Sequence, residues 1–133
     1  MDDEIHIAIG QEGDIVTARQ KGREIAAATG FTGSELTVIA TAISEVARNI
    51  VVYAQRGEIS LRPVQQGGRR GIQVIATDHG PGIPDVAMAM RDGFSTGKSL
   101  GLGLPGAKRL MDEFEIVSEV GRGTVVTMRK WAR

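Results

Sequence analysis

An apolar run from Ile72 to Thr77 ends abruptly in Asp78-His79-Gly80-Pro81-Gly82-Ile83-Pro84. The run has the length and composition of a buried strand, so the chain leaves a sheet at Asp78 and turns at once. D-x-G-P-G is ordinary turn chemistry. The same residues also suit a planar polar ligand. A carboxylate at a strand end can accept a hydrogen bond from an exocyclic amine, and glycines at 80 and 82 let the backbone approach where a Cβ would clash. Taken alone, the stretch leaves both uses open.

Upstream, residues 4–9 (EIHIAI) put Ile5, Ile7 and Ile9 on one face of a half-buried strand. His6 lies on the opposite face, where a solvated histidine is the ordinary outcome. Gly13-Asp14 opens a helix with Asp14 as N-cap, and Gly30 closes it as the C′ glycine. Ile15, Ala18, Gly22, Ile25 and Ala26 form its core stripe. Thr32 and Glu35 have the spacing of a capping box for a second helix reaching about Tyr53. Leu36, Ile39, Ala40, Ile43, Val46, Ala47 and Ile50 give that helix a wide apolar stripe, so it should lie mostly buried. Glu45 and Asn49 are four residues apart and share a face. They form either a surface Glu–Arg–Asn cluster with Arg48 or a carboxylate and carboxamide turned into a cleft.

Gly57 to Val64 reads as a strand ending near Pro63, and residues 65–71 as a flexible hairpin tip. The return strand, Ile72 to Asp78, is apolar enough for a central place in the sheet. After the Asp78 turn, Asp85 to Arg91 makes a short helix. Residues 92–106, DGFSTGKSLGLGLPG, are a glycine-rich segment of the kind that serves as a lid. Ala107 to Glu113 continues as a helix with Leu110, Met111 and Phe114 facing inward. Glu115–Val120 and Thr124–Trp131 are strands joined through Gly121-Arg122-Gly123-Thr124.

At 133 residues the chain is expected to form a single domain, residues 1–133. Sixteen acidic residues balance sixteen basic ones, which gives no general pull toward nucleic acid or an anionic membrane. Absence of cysteine removes disulfides, thiolate metal sites and thiol nucleophiles, and fits a cytoplasmic setting. Met1-Asp2-Asp3-Glu4 is acidic where a secretory signal is basic, and no apolar stretch is expected to reach membrane-spanning length. Gly101-x-Gly103-x-x-Gly106 matches the dinucleotide fingerprint by letter but lacks its preceding strand and βαβ context. Gly97-Lys98-Ser99 ends like a phosphate-binding P-loop, yet the first glycine of that motif falls on Asp92. The composition still makes a phosphate cradle of backbone N–H groups, Lys98 and a helix N-terminus. Neither His6 nor His79 lies on a helix that could present an imidazole for phosphotransfer.

Four separated pieces stand out: Glu45-x-x-Arg48-Asn49, Asp78-x-Gly80-x-Gly82, Gly101-Leu102-Gly103 and Gly121-x-Gly123-Thr124. In order and spacing they resemble the N, G1, G2 and G3 boxes of the GHKL (Bergerat-fold) ATPase/kinase superfamily. The whole chain looks like the small stand-alone serine kinases of bacterial partner-switching systems, including those of the stressosome pathway. The matching runs are DIVTARQKGREIA, AISEVARNI, DHGPGIPD, GFSTGKSLGLGLPGAKRLMDEF and the terminal KWAR.

The resemblance implies a two-layer α/β sandwich, with a mixed, mostly antiparallel sheet covered by helices on one face. It implies ATP and Mg²⁺ as cofactors. Asp78 would accept from the adenine amino group, with Thr124 joining through its hydroxyl or a water. Gly80 and Gly82 would admit the base, and Gly101, Leu102 and Gly103 would offer N–H groups to the phosphates. Asn49 would ligate Mg²⁺, a hard oxygen ligand for a hard cation. Glu45 would act as general base toward a serine hydroxyl. Lys98, by charge and place, is a γ-phosphate contact. Arg48 either orients Glu45 or the phosphates or makes a helix-surface ion pair. The implied substrates are STAS-domain proteins, an antagonist and the stressosome scaffold, and the released kinase would activate an RsbU-type phosphatase through its N-terminal domain. The alternative is an anti-sigma factor kinase that sequesters a sigma factor; the boxes are shared, while the lid wording and short chain favour the switch kinase. A module holding ATP only as a structural ligand would have no need of Glu45. A homodimer, as in sibling kinases, is left open.

Overall fold

The computed structural model describes residues 4–83, 86, 90 and 103–132. Its elements are β1 (Ile5–Ile9), α1 (Glu12–Thr29), α2 (Ser34–Asn49), a π-helical turn (Ile50–Ala54), β2 (Gly57–Gln66), β3 (Arg69–Asp78), α3 (Gly103–Leu110), β4 (Glu113–Glu119) and β5 (Gly123–Trp131). The strands form one sheet in the order β1-β2-β3-β5-β4. Every pairing among the described strands is antiparallel. β3 is the middle strand, as its apolar run requires.

Alternation decides which face is covered. Ile7 and Ile9 of β1, Ile59 and Leu61 of β2, Ile72, Val74 and Ala76 of β3, and Val126 and Met128 of β5 all point to one side. There they meet Ile15, Ala18 and Ala26 of α1, Ile39, Ile43, Val46 and Ala47 of α2, and Leu104 and Ala107 of α3 in a single core. The three helices therefore lie on one face, and the two-layer α/β sandwich expected from the sequence is the fold observed. Each fully buried isoleucine contributes roughly 1.5–3 kcal/mol of transfer free energy. Gly22 of α1 fits against Ile43 of α2 at a distance that admits no Cβ, which draws the two helices together.

Several boundaries differ from the sequence expectation. Asp14 is not the N-cap of α1. The helix starts one turn earlier, and the Asp14 carboxylate accepts from the N–H groups of Gly10 (2.8 Å) and Gln11 (3.1 Å). An acidic side chain in the first turn satisfies orphan donors and the positive helix end as well from this position as from the cap. Gly30 does close α1 with φ 117°, and Phe31 N–H returns to Ala26 O at 3.0 Å. The Thr32–Glu35 capping box is absent; Gly33 caps α2 with φ 58° and no side-chain bond. The hairpin tip shrinks to Gly67-Gly68, both at positive φ, and pairing runs out to Gln66 and Arg69. Two glycines supply the left-handed pair that a two-residue turn needs. Among the described residues β1 pairs with β2 only as far as Leu61, short of Pro63.

α3 stops at Leu110 rather than running to residue 113, and Lys130 Nζ donates to the Leu110 carbonyl at 3.0 Å. The helix expected at 85–91 falls mostly outside the described residues; of the two that are described, Met90 N–H donates to Val86 O at 3.0 Å. Ser34–Ala54, 21 residues, is long and apolar enough by length and composition to cross a membrane, against expectation. Its apolar stripe is spent on the core, so it reads as a core helix.

Candidate functional site

Register places the sequence-predicted residues side by side. Ile9 pairs with Gly57, Gly57 with Asp78, Asp78 with Thr124, and Thr124 with Ser118. This row crosses all five strands at one end of the sheet, on the helix-covered face. Asp78 is 7% exposed and Thr124 4%. Gly57 leaves a gap beside Asp78, since a Cβ there would sit 3.0 Å from Ile50 Cγ2 and 3.1 Å from Asp78 Cβ. Ile50, the first residue of the π turn, settles into that gap.

The Asp78 loop is held from two sides. Asp78 Oδ1 accepts from Gly80 N–H at 2.9 Å, an Asx turn that fixes the carboxylate. Oδ2 has no partner among the described residues. A Cβ on Gly80 would come within 2.6 Å of Ala54 Cβ, so the loop packs on the π turn. On the other side, Gly121 N–H donates to Pro81 O at 2.8 Å and Ile83 N–H to Ser118 Oγ at 2.7 Å. Gly82, at φ 81°, lies against the Glu119 carbonyl, and Gly123, at φ 123°, against the Asp78 carbonyl; neither contact leaves room for a Cβ. The glycines of the first and last boxes thus form a backbone-to-backbone seam.

Glu45 projects from α2 at 5% exposure, and Asn49 is half-buried one turn on. The expected alternative of an exposed cluster is therefore not what α2 carries. Arg48 points elsewhere: its guanidinium lies 3.5 Å from Glu12 Oε1 on α1, the ion pair of its two alternatives. Directly after Asn49 the helix widens into the π turn, with Gln55 N–H reaching Ile50 O at 2.8 Å and Gln55 itself at φ 73°. Such turns and left-handed residues gather at functional sites. α2 also packs on α3, whose N-terminus begins at Gly103 with φ 69°. A helix N-terminus in general favours an anion. Lys98, Gly101 and Leu102 lie outside the described residues.

Among the described residues no group of three His, Cys, Asp or Glu side chains could hold a metal. A cation here would rest on the Asn49 carboxamide oxygen together with oxygens of a ligand, a donor set that fits Mg²⁺. Two features were missed from sequence: Ser118 and the π turn. Ser118 had a signal, a hydroxyl at the inward parity of Phe114 and Ile116 on β4.

The antiparallel sheet covered by helices on one face, with a glycine seam at one sheet end, is the arrangement of an ATPase-type α/β fold. Residues 10–130 match the family model described as histidine kinase-like ATPase domain, and the chain belongs to that family. It is 50% identical over 133 residues, all of both chains, to serine/threonine-protein kinase RsbT of Bacillus subtilis (strain 168). At that full-length similarity it is a serine/threonine-type protein kinase. The anti-sigma F factor of Thermoanaerobacter sp. (strain X514) is 33% identical over 106 residues, covering 75% of this chain and 73% of the relative. Among solved structures, the histidine kinase domain of the Erythrobacter litoralis EL346 blue-light activated histidine kinase shares the fold, with a TM-score of 0.52 at 18% identity. It spans 90% of this chain and 59% of that one.

Proposed function

We propose that this chain is an ATP- and Mg²⁺-dependent protein-serine kinase that phosphorylates STAS-domain proteins, an antagonist and a stressosome scaffold, in a partner switch of the cytoplasm. The observation that supports it most is the meeting of two features at one sheet end: the Asp78–Thr124 pair and the tail of the helix that carries Glu45 and Asn49. Asp78 accepts from the adenine 6-amino group and Thr124 lies beside it. Gly80 and Gly82 bring the loop backbone to the base, and Gly101, Leu102, Gly103 and Lys98 receive the phosphates. Asn49 holds Mg²⁺, which neutralises phosphate charge when bound. Glu45 takes the proton of the serine hydroxyl as its oxygen bonds to the γ-phosphorus and the bond to the β-phosphate oxygen breaks, releasing ADP. Arg48, engaged with Glu12, holds α2 to α1 on this reading.

Phosphorylation of the scaffold would free the kinase to bind the N-terminal domain of an RsbU-type phosphatase and activate it. The anti-sigma reading is favoured by the 33% identity to anti-sigma F factor. One pull-down with a sigma factor and with the phosphatase domain, beside a phosphotransfer assay on a STAS protein, tests both. Phosphatase capture and serine phosphorylation are expected; sigma capture would overturn the switch-kinase reading. Sedimentation of the isolated chain checks for a homodimer.

A further inference from the structure

We infer that Ser118 is the positioning residue that sets how this site reads its base, an inference that rests on the nucleotide reading above. Ser118 stands at the end of the polar row, inward on edge strand β4 and directly opposite Thr124. Among the described residues its Oγ has three polar neighbours: Ile83 N–H at 2.7 Å, Thr124 Oγ1 at 2.8 Å and the Gly123 carbonyl at 3.2 Å. A hydroxyl has one hydrogen and two lone pairs. Ile83 N–H must use a lone pair. The hydrogen then goes to Thr124 or to Gly123.

The choice fixes the polarity of Thr124. If Ser118 donates to Thr124 Oγ1, along the shorter of the two contacts, the Thr124 hydrogen is free to point away as a donor. If Ser118 donates to Gly123, Thr124 spends its own hydrogen on Ser118 and can only accept. Adenine presents a 6-amino donor and an N1 acceptor side by side. Asp78, a carboxylate, answers the donor. N1 needs a donor, and Thr124 next to Asp78 supplies one only in the first arrangement. A water shared between the Asp78 carboxylate and N1 spends both hydrogens on those acceptors and likewise needs a donor behind it. The second role of Ser118 is mechanical, since the bond from Ile83 N–H ties the far end of the Asp78 loop to the hairpin that carries Thr124. One hydroxyl therefore sets both the spacing and the polarity of the Asp78–Thr124 pair.

The test compares affinities for ATP and for inosine triphosphate, which reverses the 6 and 1 positions of the base and leaves the phosphates alone. Calorimetry is run on wild type, Ser118→Ala, Thr124→Val, the double variant and Ser118→Thr. Loss of one oriented hydrogen bond predicts an ATP preference about tenfold lower in Ser118→Ala. Thr124→Val should lose a similar factor, the double variant no more than either single, and Ser118→Thr should restore the preference. Should Ser118→Ala not fold, Ser118→Cys keeps the volume with a weak donor and should show the same loss. An unchanged preference in a folded Ser118 variant, or losses that multiply in the double variant, overturns the role of Ser118. Failure of the wild type to bind ATP overturns instead the nucleotide reading beneath it.

Discussion

Gly82 and Gly121 provide a matched pair for testing whether the glycine seam builds the proposed base site. Both have left-handed backbones, φ 81° and φ 84°. An alanine at either costs about 1–2 kcal/mol for the backbone conformation, offset by up to ~1 kcal/mol from a stiffer unfolded chain. They differ in their surroundings. A Cβ on Gly121 meets nothing within 4 Å, whereas one on Gly82 strikes the Glu119 carbonyl and sits 3.0 Å from Val120 Cα. Backbone cannot swing aside as a side chain can, so Gly82→Ala adds roughly 1–3 kcal/mol of overpacking. Gly121→Ala should therefore cost about 1 kcal/mol and Gly82→Ala about 2–4 kcal/mol. An unfolding entropy of about 2.1 cal/mol/K per residue over the 133 residues corresponds to about 3.6 °C per kcal/mol. Melting should fall by about 4 °C in the first variant and by about 7–14 °C in the second. The clash also pushes the Asp78 loop off the hairpin bearing Thr124. ATP affinity should then drop at least about tenfold in Gly82→Ala and by less than about twofold in Gly121→Ala. Scanning calorimetry and ATP titration measure both. Equal behaviour of the two variants would refute the seam as the element that sets the site.

Glu45→Ala should abolish phosphotransfer while ATP affinity stays within a few fold, as followed by γ-phosphate transfer and by titration; retained transfer would remove Glu45 as the base. Among the described residues, two exposed groups contribute to the pH dependence of stability. His6 is raised above the ordinary imidazole value, chiefly by its hydrogen bond to Glu58, so its contribution is present below about pH 6.5 and lost as pH rises through the higher folded value. Glu113 is lowered, chiefly by the Trp131 indole N–H and then by Arg129, so its contribution is lost as pH falls through the depressed folded value. His6→Ala should lower melting on the acid side of the His6 titration and remove the fall seen as pH rises through it, the two profiles meeting on the alkaline side; identical profiles throughout would contradict this.

The layers and the candidate site were picked out in the sequence for different reasons. Alternation in β1 and the dense apolar stripe on α2 report burial directly, so the sandwich and the core face could be read from them. Asp78, Thr124 and the glycines could be placed because their spacing matches a family pattern, and register then explains why they meet: they are neighbours on β3 and β5. Ends of helices were harder. Asp14 serves the N-terminus of α1 from inside the first turn, and a short acidic side chain satisfies the same donors from either position. The Thr32–Glu35 spacing suggested a box that Gly33 makes unnecessary. Ile50 to Ala54 carries no local mark of a π turn; the widening shows only against Gly57 and Gly80, which are distant in sequence. Arg48 could not be placed from one helix because its partner, Glu12, lies on another.

Calorimetric titration of Mg²⁺–ATP into wild type and Asn49→Ala tests the central claim most directly, because Asn49 ends α2 directly before the π turn on which the Asp78 loop packs. Binding by the wild type with loss in the variant, while both melt alike, is the predicted result. Equal affinity in the two proteins would contradict a nucleotide held at this end of α2.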